Sequence, residues 1–300
     1  MADVKPDKGP LIYRQKLSTR VTHWLWVVCL FFLLLSGLQI FMARPDLYIG
    51  RQSGFAFDNS FLTIGAAYQD SAMRGFTEIF GHRFDTTGWL GAIWVNGSLQ
   101  AKSFSGWLTI PSYRDLGTGR VVHFFFAWML VATLLGWLIA SAINGHLRRD
   151  LVPKPADIRQ IGPDIADHAR LRFSHGRNYN VLQKLSYASV MFIALPLIII
   201  TGLCMSPGVN SLAPWLVDIF GGRQTARSIH FLTMLALVTF VVVHLLMVLA
   251  AGPLNELRSM VTGWYRIDPA AEPDVAAEGE PAGEIENDAE VKSEAKTESK

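Results

Sequence analysis

Ile229–Ala251 reads IHFLTMLALVTFVVVHLLMVLAA, an apolar run without a formal charge that contains two histidines, His230 and His244. It reaches the roughly 20 apolar residues that an α-helix needs to cross a hydrocarbon core. Fourteen residues separate the two histidines. On a helix they turn through about 1400°, close to four full turns, and rise about 21 Å. Both imidazoles therefore share one face, near opposite membrane surfaces. An ionisable side chain inside a span is costly and marks a ligand site, a relay or a pathway.

Three further stretches have the same character: Thr22–Met42, Val121–Ile143 and Leu185–Met205. Half of the residues are hydrophobic and 17% are charged, with the polar residues gathered between the runs. The fold expected is an all-α integral membrane protein, a four-transmembrane-helix bundle with a long outer connection. The chain divides into an N-terminal segment (1–21), helices over about 22–42, 121–143, 185–205 and 229–251, the outer connection 43–120, a loop 144–184, a juxtamembrane segment 252–267 and a tail 268–300. The first run is too long for a cleaved signal peptide, and no small-residue cleavage pattern follows at Phe41-Met42-Ala43-Arg44-Pro45, so it is read as a retained anchor.

The formal charge of +2 hides a split. Asp268–Lys300 holds eleven acidic residues and three lysines, leaving 24 basic against 14 acidic residues over Met1–Ile267. A tail so acidic, without apolar periodicity, is expected to be disordered. Lys and Arg in short loops set orientation. Lys5, Lys8, Arg14, Lys16 and Arg20 precede the first span, and Arg148, Arg149, Lys154, Arg159, Arg170, Arg172, Arg177 and Lys184 separate the second from the third. Both termini and that loop are placed in the cytoplasm, with 43–120 outside. In that outer connection the aromatic run Gly88–Ile110 is interrupted by Asn96, Gly97, Gln100, Lys102 and Gly106. It reads as an interfacial helix or a packed cap rather than a fifth span.

Alternation of the spans places the histidines in depth. His23 opens the first helix on the cytoplasmic side, where the fourth ends with His244; His123 opens the second on the outer side, where the fourth begins with His230. Each pair takes one residue from the fourth helix and one from another, as helix bundles do when they build cofactor sites. Four neutral imidazoles at two depths are what two bis-imidazole haems require. Arg20, Arg120 and Arg227 each precede a histidine by three residues, one turn nearer the interface, where a haem's carboxylates emerge. Gly37, fourteen residues after His23, lies on that histidine's face at the depth of the outer pair and leaves room for a flat macrocycle. His82, His146, His168 and His175 are expected to be solvated. Cys29 and Cys204 sit in separate spans, with no Cys-x-x-Cys-His for covalent haem and no disulfide framework.

These residues resemble a known family. Tyr13-Arg14, Thr19-Arg20-Val21-Thr22-His23-Trp24, Gly119-Arg120-Val121-Val122-His123-Phe124 and Ile229-His230 with His244 are similar to the dihaem b-type cytochrome subunits of formate dehydrogenase, nickel–iron hydrogenase and thiosulfate reductase. The likeness runs from about Tyr13 to Tyr265. Leu47-Tyr48-Ile49-Gly50, Gly145-His146-Leu147-Arg148-Arg149-Asp150 and Gly252-Pro253-Leu254-Asn255-Glu256 resemble the thiosulfate-reductase-type branch most. The resemblance implies two haem b on His23, His123, His230 and His244. It implies a quinone site at Asn180, Gln183 and Lys184, whose amides can donate and accept hydrogen bonds. It also implies a bacterial inner-membrane location and a periplasmic oxidoreductase partner, molybdopterin-dependent, alone or with an iron–sulfur or cytochrome subunit.

The expected function is electron transfer between that partner and the quinone pool, with substrate conversion left to another subunit. Besides lipid, quinone and that partner, no nucleic acid is expected. No metal–sulfur motif, nucleotide loop or hydrolytic triad appears in the sequence. Two other readings stay open at this stage: a transporter whose histidines line a transition-metal or proton path, and a haem-free membrane anchor.

Overall fold

The computed structural model describes residues 9–143, 161–170 and 181–267. In chain order it contains β1 (Leu11–Tyr13), α1 (Leu17–Phe41), β2 (Asp46–Tyr48), β3 (Ser60–Gln69), β4 (Ala72–Ile79), β5 (His82–Asp85), β6 (Ala92–Val95) and β7 (Ser98–Ala101). There follow α2 (Leu116–Ile143), α3 (Ile161–Ala169), α4 (Val181–Cys204), α5 (Pro207–Leu212), α6 (Pro214–Ile219), α7 (Arg223–Ala251), α8 (Pro253–Thr262) and β8 (Trp264–Arg266). Helices α1, α2, α4 and α7 are the four long and apolar enough to cross a membrane. Each begins four to six residues before its apolar run, because polar first turns can lie at the interface. At α2 that turn is capped by Asp115, whose carboxylate accepts from the Thr118 hydroxyl at 2.7 Å and its amide at 3.1 Å. These two bonds hold the Asp115 carboxyl below the usual carboxylate range.

The bundle is two close pairs, α1 against α2 and α4 against α7. At mid-depth Cys29, Leu130, Leu134, Trp137, Met191, Leu195 and Leu237 form one buried apolar cluster drawn from all four spans. Pro196 cannot donate to the helix ladder and clashes with the preceding turn. Helix α4 absorbs this in a π-turn at Val190–Ala194, where the Leu195 amide reaches back five residues to the Val190 carbonyl.

The all-α expectation fails over 43–120. Strands β2-β3-β4-β5 form an antiparallel meander in that order, and β6 and β7 form a hairpin. The interfacial helix considered for Gly88–Ile110 is absent: that stretch holds the hairpin and a single 3₁₀ turn, Gly106–Leu108. The cause is turn chemistry. Asn96 and Gly97 take φ of 50° and 80°, the left-handed pair of a two-residue turn whose twist matches a hairpin. This layer closes one end of the bundle, hereafter the sheet end, through Phe41, Met42, Leu47, Ile64 and Phe104.

The sheet end fixes where α7 starts. The Gly50 carbonyl accepts from the amides of Gln224 and Thr225 at 3.2 and 3.3 Å, satisfying first-turn donors that a helix leaves open. The Gly50 amide donates to the Thr225 hydroxyl at 2.6 Å, the Ser228 hydroxyl donates to the Tyr48 carbonyl at 2.7 Å, and Arg227 donates to the Arg44 carbonyl. Thus Leu47-Tyr48-Ile49-Gly50 acts as the socket of α7.

The opposite end is tied by the two ends of the described chain. Strand β1 pairs antiparallel with β8, Leu11 opposite Arg266 and Tyr13 opposite Trp264. The Arg14 guanidinium lies 4.4 Å from the Tyr265 ring centre, and the Tyr265 hydroxyl donates to Glu256 at 3.1 Å. Burial, then the nearby Glu256 charge, pushes the Tyr265 hydroxyl well above the usual tyrosine range. Gly263 makes the turn from α8 into β8 at φ 89°, where an added Cβ would lie 2.5 Å from the Tyr13 ring. The expectations for the tail 268–300 and for most of the loop 144–184 lie outside the described residues.

Gly263→Val is expected to release β1 from β8 without unfolding the bundle. In detergent, tryptic cleavage after Arg14 or Lys16 should accelerate about tenfold or more, the factor that about 1.4 kcal/mol of lost local stability gives. An unchanged rate would show that the ladder does not hold the segment.

Candidate functional site

The structure brings the four histidines together as two pairs, both across the seam between the close helix pairs. At the sheet end the rings of His123 on α2 and His230 on α7 lie with centres 6.4 Å apart and planes at 61°. At the opposite end His23 on α1 and His244 on α7 lie 6.5 Å apart at 59°. Metal–imidazole nitrogen bonds of about 2 Å on either side of one ion put two ring centres roughly 6 Å apart, so both pairs have the spacing for one metal between them. The mid-depth apolar cluster separates the two pairs.

The sheet-end pair is held by a repeated arrangement. Ser36 and Gly37 of α1 face His123, and Thr201 and Gly202 of α4 face His230; the two local sequences are Ser36-Gly37-Leu38 and Thr201-Gly202-Leu203. An added Cβ at Gly37 would stand 3.3 Å from His123 Cε1, and one at Gly202 would stand 3.3 Å from His230 Cε1. The absent side chains therefore let the Cε1–Nδ1 edge of each imidazole come up against the neighbouring helix. His230 Nδ1 lies 2.9 Å from the Ile198 carbonyl and 3.2 Å from Thr201 Oγ1. His123 Nδ1 lies 3.1 Å from Ser36 Oγ. A carbonyl only accepts, so Nδ1 carries the proton on His230; on His123 the Ser36 hydroxyl, whose own proton goes to the Phe32 carbonyl, leaves Nδ1 as the donor, and on each ring Nε2 keeps the lone pair that a metal needs.

The other pair is set differently. His23 Nδ1 is buried with no hydrogen-bond partner. The Phe240 ring stacks on His244 at 5.8 Å and 16°, and the edge of Trp24 meets His23 at 5.4 Å. One stacked ring, one edge contact and a ring nitrogen without a hydrogen-bond partner set this pair apart from the sheet-end pair.

The three arginines divide. Arg227 donates to the Arg44 carbonyl, Arg20 donates to the Val261 carbonyl at 2.7 Å while its Nε is buried without a partner, and Arg120 lies 5.6 Å from the Phe124 ring centre on the exposed side of α2. Gln183 and Lys184 stand in the first turn of α4, at the end away from the sheet. The Val181 amide there donates to Asp164 of α3 at 2.9 Å. Asn180 lies outside the described residues. His82 is exposed on β5, and among the other histidines His146 and His175 lie outside the described residues.

Ser36, Thr201 and Gly202 were not among the residues singled out in the sequence. The signal that could have found them is the repeated Ser/Thr-Gly-Leu on two spans.

A family model described as prokaryotic cytochrome b561 matches residues 6–263, and the chain belongs to that family. It is 29% identical over 233 residues to the Azospira oryzae protein named as protein-methionine-sulfoxide reductase subunit YedZ1, covering 76% of this chain and 86% of that one. It is 22% identical over 165 residues to a Cupriavidus necator protein named as a Ni/Fe-hydrogenase B-type cytochrome subunit, covering 50% and 68%. It is 28% identical over 157 residues to the cytochrome YdhU of Escherichia coli, covering 48% and 58%. The family is one of membrane cytochromes that bind b-type haem and transfer electrons, and this chain is a membrane b-type cytochrome.

Gly37→Val and Gly202→Val are expected to push the His123 and His230 rings from their seats. Haem content, read by pyridine haemochrome quantitation, is expected to fall in both variants, as when a contact that orients a metal ligand is lost.

Proposed function

We propose that this prokaryotic cytochrome b561 is the electron-transfer subunit of a membrane oxidoreductase complex, carrying electrons between a periplasmic partner on the sheet end and the quinone pool at the opposite end. The observation that carries the reading is the pair of facing imidazoles at each end, locked in spacing by the single helix α7. Two haem b would be held, one by His123 and His230 and one by His23 and His244. When bound, haem supplies reversible one-electron chemistry at its iron.

The residues of the chain do the rest. The bonds from Nδ1 to Ile198, Thr201 and Ser36 orient the sheet-end imidazoles. Arg20, whose Nε is buried without a partner, and Arg120, on the exposed side, would pair with carboxylates at the two interfaces; Arg227 holds the socket of α7 and adds positive charge there. Gln183 and Lys184, with Asn180, would take a quinone by hydrogen bonds at the end where both termini are cytoplasmic in the charge-based orientation.

The names of two relatives, a reductase subunit and a hydrogenase subunit, support a soluble oxidoreductase partner. The thiosulfate-reductase-type likeness favours a molybdopterin-dependent one in the periplasm of a bacterium. Against a metal or proton transporter stands the buried cluster at mid-depth, whose members Cys29, Leu130, Leu134, Trp137, Met191, Leu195 and Leu237 offer no carboxylate or imidazole.

In the purified protein about two b-type haems per chain are expected. His123→Ala and His230→Ala should each lose one, His23→Ala and His244→Ala the other, with membrane insertion unchanged. A His244→Ala protein that keeps both haems would overturn the pairing. Gln183→Ala and Lys184→Ala should raise the KM for a quinol analogue about tenfold, near the effect of one lost hydrogen bond to a charged group, at unchanged haem content.

A further inference from the structure

The two hydroxyls beside the sheet-end histidines have only one way to act. A hydroxyl offers one proton and two acceptor positions. Ser36 Oγ lies 2.5 Å from the Phe32 carbonyl, and Thr201 Oγ1 lies 2.7 Å from the Leu197 carbonyl, so each proton is committed to the preceding turn of its own helix. What each hydroxyl presents to the histidine, at 3.1 and 3.2 Å, is an oxygen lone pair. Each Nδ1–H thus meets acceptors: the Ser36 hydroxyl for His123, and the Thr201 hydroxyl with the Ile198 carbonyl for His230.

Acceptors on Nδ1–H draw the proton outward and leave the ring more electron-rich at Nε2, which raises its basicity as a ligand and favours the more positive iron. At the other end His23 Nδ1 has no such partner. The difference is built into the fold, because the two hydroxyls occupy equivalent places on α1 and α4, each one residue before the glycine that seats the ring.

We propose that Ser36 and Thr201 are positioning residues for the sheet-end haem, fixing the Nδ1–H tautomer of His123 and His230 and lowering that haem's midpoint potential relative to the same site without the hydroxyls. The inference rests on the haem-ligand reading above. Helix α1 carries serine where α4 carries threonine, so the shared feature of the two places is the hydroxyl.

The test is a potentiometric titration of the purified full-length protein, followed at the b-type absorption band, for the parent, Ser36→Ala, Thr201→Val and the exchanges Ser36→Thr and Thr201→Ser. Ser36→Ala and Thr201→Val are expected to keep both haems and raise one midpoint while the other stays. A threefold change in preference for oxidised over reduced iron corresponds to about 28 mV for one electron, at 59 mV per tenfold. The exchanges should stay at the parent value. If Ser36→Ala or Thr201→Val loses one haem while the exchanges retain it, the hydroxyl acts through affinity, and the positioning role stands. Two haems with unmoved midpoints in both hydroxyl-less variants, or shifts equally large in the exchanges, would overturn the inference. A parent protein without haem would instead overturn the reading on which it rests.

Discussion

The arrangement depends on one rigid distance. His230 and His244 are fourteen residues apart on a continuous α7, so their depth separation of about 21 Å is fixed by helix geometry. Wherever the first turn of α7 is set, both sites are set. That turn is held by the Gly50 carbonyl, the Tyr48 carbonyl and the Arg44 carbonyl, all on the segment that leads from α1 into the sheet. The sheet layer is therefore more than a cover. It couples the register of α7 to the end of α1, and through the close α1–α2 pair to His123 as well as His23.

Within that frame the two sites are made by different means. The sheet-end imidazoles are seated against glycines and ringed by acceptors, which leaves one orientation for each ring. The pair at the other end is flanked by Trp24 and Phe240 and keeps an orphaned ring nitrogen. Helix α8 lies over this second end: Arg20 and Trp24 of α1 donate to the carbonyls of Val261 and Met260 at 2.7 and 3.1 Å. Hydroxyls, a carbonyl and glycines meet the rings at one end, and aromatic side chains meet them at the other.

The bundle and the histidine pairs could be read from the sequence because both rest on helical period and on the cost of an ionisable group in lipid. The sheet could not be read that way. Its strands alternate weakly, as in Ser60–Gln69, and its turn at Phe80-Gly81 puts a phenylalanine at positive φ, a position that a bulky side chain does not announce. Asn96-Gly97 is a genuine hairpin signal, yet inside an aromatic run it reads as an interruption. The β1–β8 ladder pairs three-residue strands about 250 residues apart, and neither has a local pattern. Ser36 and Thr201 were invisible for another reason: a hydroxyl in a span ordinarily bonds the carbonyl four residues back, and these do that as well. Their second role exists only once α2 and α7 bring an imidazole to them.

The separation of the sites also bounds how strongly charge at one bears on the other. Two unit charges about 21 Å apart interact with about 0.8 kcal/mol at an effective dielectric constant of about 20. One neutral hydrogen bond is worth a similar amount, about 0.5 to 1.5 kcal/mol. A single contact with an imidazole therefore weighs about as much as a unit charge arriving at the other histidine pair. Such contacts differ between the two ends: a Ser/Thr-Gly pair meets His123 and His230, whereas His23 Nδ1 is buried with no hydrogen-bond partner.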